Sequence, residues 1–164
     1  MTTKEFIIEQ LSSARNTKNW FVSFKDSVEG LSAEEAKWHD GSGNHSIWQI
    51  VNHLNFWNER LLIRFSGGVP TGMEGENSGT FSVDLGWEAE WHSSVQKFDE
   101  IMAEFETRLR DKGDEWLKKP ALEGYEETWY DRFAQMTLHN AYHIGQIVHL
   151  RKQQGSWNSE QGVK

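Results

Sequence analysis

Residues 129–155 read WYDRFAQMTLHNAYHIGQIVHLRKQQG, and they carry the pattern of one long amphipathic helix. The residues expected on its inner face recur at helical spacing: Phe133, Met136, Asn140, Ile147 and Leu150. His139 and His143 lie four residues apart in the middle of that face, and Gly155 is the natural stop. The pattern predicts a helix over residues 129–154 with an inward-facing pair of histidines.

Three more segments show helical periodicity: residues 3–28, 46–65 and 87–112. The last is the clearest, because its large apolar residues follow a nearly regular heptad stripe: Trp87, Trp91, Val95, Phe98, Met102, Phe105 and Leu109. Thr2 with Glu5 predicts a capping box at the first helix. Ser32 with Glu35 predicts a second capping box and a short helical turn that ends near Lys37.

A long connection, residues 66–86, separates the second and third helices and has six glycines and no sustained period. A connection of this length can cross over the end of a bundle, so the helices that flank it need not be antiparallel. We therefore predict an all-α four-helix bundle with a crossover loop. The length of 164 residues suits a single domain over residues 1–164, with a frayed tail at about residues 156–164.

Composition excludes several classes of function. The chain has 17 Lys and Arg against 25 Asp and Glu, a net charge of −8 that opposes nucleic-acid binding. It has no cysteine, so histidine, carboxylate or amide groups must hold any metal, and any reacting sulfur must arrive with a substrate. Neither a signal peptide nor a bilayer-spanning apolar run is visible, and we expect a cytoplasmic protein with no membrane partner.

A third histidine, His53, lies beside Trp57 on the flank of the apolar stripe of the second helix. Three neutral imidazoles with an open position are typical of catalytic metal sites. The sequence therefore predicts a site for one divalent metal ion at His53, His139 and His143. A hydrogen-bonded core histidine is the alternative at each position, because H-x-x-x-H spacing alone is a weak signal.

Other metal chemistries lack their residues. Asn140 follows His139 where a zincin has its general-base glutamate, so metalloprotease chemistry is unsupported. No histidine has an acidic residue three positions before it, as a carboxylate-bridged di-iron bundle requires. We interpret the remaining histidines as solvated, or at most as indirect neighbours of the metal: His39, His45, His92 and His149.

Four further residues lie near the three histidines in helical register. Gln49, Tyr142 and Gln146 can contact the predicted ligands, with a solvated role as the alternative for each. Trp57 can form a wall of the pocket or belong to the core. Gly145 either permits close helix approach or is an exposed glycine without a packing role.

Residues 137–155, TLHNAYHIGQIVHLRKQQG, resemble the C-terminal signature H-N-x-x-H-x-G-Q-I of the DinB/YfiT-like superfamily. Residues 47–57, IWQIVNHLNFW, resemble the first metal-ligand helix of that family, and the similarity extends over nearly the whole chain. The resemblance implies an up-up-down-down bundle and a mononuclear site whose ligands match His53, His139 and His143. It also implies zinc or nickel as the metal, and a homodimer.

The same resemblance implies a function, since characterised relatives include thiol-dependent S-transferases. We expect metal-dependent transfer of a low-molecular-weight thiol to an electrophile, or a related hydrolysis. The sequence identifies no catalytic residue beyond the ligands and no organic cofactor. The alternative is a non-catalytic, metal-stabilised bundle that acts as a dimeric interaction or stress-response module.

Overall fold

A computed structural model describes residues 1–72, 77–82 and 86–162 of the chain. Its helices are α1 (Thr3–Arg15), α2 (Phe24–Val28), α3 (Ala33–Ala36), α4 (Ile47–Phe65), α5 (Glu88–Arg110), α6 (Asp114–Leu117) and α7 (Trp129–Gln154), with short 3₁₀ helices at Asn77–Phe81 and Ser159–Gln161. The four long helices α1, α4, α5 and α7 form a bundle, and the described residues contain no β-strand. The predicted all-α four-helix bundle is confirmed.

Local hydrogen bonds set the ends of the two helices that carry the histidines. The Ser46 hydroxyl accepts the backbone N–H of Gln49, whose side chain accepts the Ser46 N–H in return, which starts α4. Thr128 and Asp131 form the same capping box at α7. Gly155 ends α7 with a φ of +79°, a conformation that favours glycine. Both helices therefore begin and end within one residue of the predicted ranges.

The predicted continuous helix over residues 3–28 is wrong, because α1 and α2 are separated by an irregular segment, residues 16–23. Within it the Asn19 side chain donates to the Ser13 hydroxyl at 2.7 Å and accepts from the Trp20 N–H at 2.7 Å. Such side-chain bonds compete with the helical hydrogen-bond ladder. Ser23 then caps α2.

Helices α4 and α5 run parallel. Trp48 near the start of α4 donates to Ser94 near the start of α5 at 3.0 Å. Phe65 at the end of α4 packs against Phe105 near the end of α5, with ring centroids 5.9 Å apart. Residues 66–87 therefore lead from one end of the bundle to the other, although residues 73–76 and 83–85 lie outside the described part of the chain.

Helices α1 and α7 run opposite to that pair. Lys4 of α1 donates to the carbonyl of Arg110 at the end of α5, while Arg15 pairs with Asp99 half-way along it. At α7 the early Phe133 packs against Phe65, the last residue of α4.

The order along the chain is thus up-down-down-up, and the expected up-up-down-down order is wrong. Its cause is visible at α3, where the Ala33 N–H donates to Glu88 beside the start of α5 at 2.8 Å. Residues 16–46 stay at the end where α1 finishes, so α4 must return antiparallel to α1.

The core fixes the spacing of α4 and α7 around the histidines. Toward the end of α4 and the start of α7, three aromatic rings pack edge-to-face or tilted with centroids 5.0–6.2 Å apart: Phe65, Phe133 and Trp129. Next to the site, buried Asn58 donates to buried Asn140 across the two helices at 3.0 Å. No helix in the described ranges carries an apolar stretch long enough to cross a lipid bilayer.

Candidate metal centre

His53, His139 and His143 meet where α4 faces α7. The Nε2 atom of His139 lies 3.1 Å from Nε2 of His53 and 3.1 Å from Nε2 of His143. His53 and His143 are buried, and His139 is half-buried. They are the one group of three potential ligand side chains with converging donor atoms found among the described residues.

The other ring nitrogens fix the tautomers of two of these histidines. His143 Nδ1 lies 2.7 Å from the Gln146 Oε1, which can only accept, so this nitrogen carries the proton. The Thr80 hydroxyl donates to the Asn77 carbonyl at 2.6 Å and therefore accepts from His53 Nδ1, also at 2.6 Å. Both Nε2 atoms are left with a free lone pair, as metal ligation requires.

A count of protons shows that the cluster fits a cation. One proton on His139 Nε2 can bridge to His53 or to His143, but not to both. The other contact then brings two lone pairs within 3.1 Å of each other, which is repulsive unless a cation lies between them. Nitrogen ligands at the usual zinc distance and tetrahedral angle are separated by about 3.3 Å.

Burial keeps the three imidazoles neutral. Desolvation, with smaller contributions from His143 and His139, lowers the pKa of His53 to about 3. Desolvation and the neighbouring His143 lower the pKa of His139 to about 4. Burial also lowers the pKa of His143, against the opposing effect of its bond to Gln146. At neutral pH the cluster therefore presents three uncharged ligands, and a bound divalent ion would keep its full charge.

The connection between α4 and α5 supplies two residues of the site that the sequence did not indicate, Thr80 and Phe81. Phe81 stacks on His53 with ring centroids 4.0 Å apart, and His45 stacks on the other face of Phe81 at 3.8 Å. The glycine-rich connection has no hydrophobic period that would mark either residue. His45 is exposed and reaches the cluster through this stacking on Phe81, as an indirect neighbour.

The residues predicted around the ligands divide into contacts and non-contacts. Gln146 holds His143, and the Tyr142 hydroxyl accepts from the Gln146 amide at 3.1 Å. Gln49 makes no hydrogen bond to a histidine of the cluster, and its side chain instead closes the capping box with Ser46. Gly145 is exposed, and apart from its own helix no described residue comes within 4 Å of the position that a Cβ would take there, so it makes no close helix contact.

One side of the cluster opens to solvent through a groove of about 370 Å³ between α4 and α7. His139 lies at its inner end, and Trp57 forms part of its wall. Trp57 is 37% exposed and donates through its indole N–H to Asn77 at 3.1 Å, so it belongs to the groove and not to the core. The remaining histidines, His39, His92 and His149, are exposed and lie outside the cluster.

Comparison with known proteins places the chain in a family. The sequence model of the DinB superfamily matches residues 23–147, which include all three histidines. The solved structure of YfiT from Bacillus subtilis, a probable metal-dependent hydrolase with an unusual four-helix bundle topology, is similar with a TM-score of 0.69. The two chains are 18% identical, and the match covers 94% of this chain and 89% of that one. No curated protein sequence matched this chain.

Proposed function

Because the chain belongs to the DinB superfamily, we propose that it binds one divalent metal ion, zinc or nickel, through the Nε2 atoms of His53, His139 and His143. The observation that carries the proposal is the convergence of these atoms at 3.1 Å with two tautomers already set for ligation. A metal held by three neutral ligands acts as a Lewis acid and can lower the pKa of a coordinated water or thiol.

We propose that the reaction is transfer of a low-molecular-weight thiol to an electrophile. The thiol sulfur forms a bond to the electrophilic carbon, the bond from that carbon to its leaving group breaks, and the leaving group and the thiol proton depart as an acid. Since the chain has no cysteine, the sulfur belongs to a substrate. The related hydrolysis, with water in place of the thiol, is supported by the likeness to YfiT.

Neighbouring side chains orient the histidine ligands. Thr80 and Gln146 keep the Nδ1 protons of His53 and His143 in place, so both rings are oriented before a metal or substrate binds. Phe81 covers one face of His53 and excludes water from it. The half-buried His139 lies at the groove, which leaves this side of the centre open to a substrate.

The test is thiol transfer to 1-chloro-2,4-dinitrobenzene, measured with a panel of small thiols on zinc-loaded, nickel-loaded and metal-free protein. The proposal expects turnover that requires metal and is lost in His139→Ala and His143→Ala while helix content is retained. Turnover of equal rate in the metal-free protein would refute it.

A non-catalytic, metal-stabilised module that pairs with a second copy is the other candidate. Leu138 and Tyr142, one turn apart on the outer face of α7, are 72% and 65% exposed, an apolar surface that suits a homodimer. In this case metal removal should lower the melting temperature strongly, since the metal would contribute to folding. A catalytic site should leave the metal-free bundle folded.

A further inference from the structure

The groove that leads to His139 is lined by basic side chains, although the chain as a whole carries a net charge of −8. Three arginines line it: Arg60 and Arg64 of α4, and Arg132 of α7. No carboxylate is among the described residues that line it. All three arginine side chains are half-buried, so their charges are less screened than those of fully exposed arginines.

Two of the arginines are held in place, and each keeps N–H donors that have no partner among the described residues. Arg60 donates through one Nη to the carbonyls of Thr71 and Gly72, and its guanidinium lies 5.2 Å from the Phe56 ring. Arg132 pairs through one Nη with Glu127, which lies outside the groove. A guanidinium has five N–H donors in a planar fork, so both can still receive an anion bidentately.

Helical register sets the distance between the arginines and the metal centre. Arg60 follows His53 by seven residues on α4, and Arg132 precedes His139 by seven on α7. Because α4 and α7 are antiparallel, both arginines lie two turns from their histidines toward the same end of the bundle, about 10 Å away. Arg64 lies one turn further along α4. Trp57 and Met136 line the interval and give it apolar walls.

We propose that this groove binds a substrate with a terminal carboxylate or phosphate, and that Arg60 and Arg132 recognise this group about 10 Å from the metal centre. The middle of the substrate packs against Trp57 and Met136, and its reacting group reaches the ion at His139. Only the placement of the substrate's reacting group at the metal rests on the proposed function. Anion recognition by the groove needs no metal.

The experiment uses eight-carbon ligands, which are comparable in length to this interval, and the full chain without metal. Calorimetric titration compares octanoate and octyl phosphate with uncharged 1-octanol. We expect at least one anion to bind at least about tenfold more tightly than the alcohol. The stronger of the two anions identifies the terminal group as carboxylate or phosphate. Equal affinity for the alcohol and both anions would overturn the proposal.

Variants locate the effect within the groove. R60Q/R132Q should remove the preference for the anion, and R64Q should reduce it. The matched control is R108Q/K118Q, which removes the same formal charge from exposed side chains outside the groove and should keep the preference. Equal loss in the control would indicate long-range charge and overturn the proposal. Thermal melting of each variant separates lost binding from lost folding, and R132Q alone replaces R60Q/R132Q if the double variant unfolds.

Together with metal binding and the thiol-transfer assay, these titrations separate this proposal from the one on which it rests. Anion preference without metal binding would refute the metal-dependent function and leave the basic groove established. Metal-dependent turnover without anion preference would refute the groove and leave the metal function standing.

Discussion

Replacing Thr80 by valine removes the acceptor for His53 Nδ1 at nearly constant side-chain volume. In the native protein this 2.6 Å bond holds the proton on Nδ1, and Nε2 is free. Without it, His53 can carry the proton on Nε2 and donate to His139 Nε2, which is 3.1 Å away. Metal binding must then break that bond and leave Nδ1–H buried without a partner.

The cost of that step sets the size of the effect. An unsatisfied buried donor costs about 1–3 kcal/mol, and each 1.4 kcal/mol is a factor of ten in affinity. We expect Thr80→Val to weaken metal binding about ten- to a hundredfold, and Thr80→Ser, which keeps the hydroxyl, to bind within a few-fold of wild type. Competition titration with a chromophoric chelator measures both. Wild-type affinity in Thr80→Val would refute the role of this bond, and equal weakening in Thr80→Ser would attribute the effect to packing.

The remaining predictions concern stability. In the metal-free protein, the pKa of His53 is about 3 when folded and 6.5 when unfolded, so the unfolded chain binds the proton first as pH falls. The contribution of this group to the free energy of unfolding is present above pH 6.5 and decreases towards pH 3. Urea unfolding should show about 2 kcal/mol less stability at pH 5 than at pH 7.5 from this group. His53→Gln, which does not titrate, should lose about 2 kcal/mol less than wild type over this range, and an equal loss would contradict the assignment. Buried Arg151 donates to the carbonyls of Ser27, Glu29 and Ser156 at 2.8–3.0 Å, so Arg151→Met should cost about 3 kcal/mol or more, whereas exposed Lys152→Met should cost under about 0.5 kcal/mol. Similar losses in the two methionine variants would show that these bonds contribute little.

Sequence pattern predicted the helices that carry the site because each has a long apolar face, and Gly155 marked the end of α7. Ser46 and Thr128 start α4 and α7, and Gly155 ends α7. Those faces also placed His53, His139 and His143 toward the interior. Helical periodicity does not specify which helices meet, so joining His53 to His139 and His143 rested on the chemistry of a three-imidazole site and on the family resemblance.

The errors have physical causes. Helical periodicity continued through residues 16–23 because Phe21 and Phe24 kept the spacing. In the structure the Asn19 side chain hydrogen-bonds the Ser13 hydroxyl and the Trp20 N–H, and the helix is interrupted there. The direction of α1 relative to α4 depends on the path of residues 16–46 between them. The helical periodicity of the sequence does not encode that path. Thr80 could not be found, because its role depends on a tertiary contact with His53, 27 positions earlier in the chain. By contrast, Ser46 and Gln49 already had capping-box spacing, a signal that Gln49 is occupied at the helix start.

The most direct test of the account is metal content per chain, measured by elemental analysis on protein purified without a histidine tag, beside His53→Ala. The account predicts about one zinc or nickel ion per wild-type chain, and its loss in the variant without loss of helix content. Wild-type protein that binds no metal after reconstitution, or a His53→Ala variant with the same metal content, would contradict the three-histidine centre.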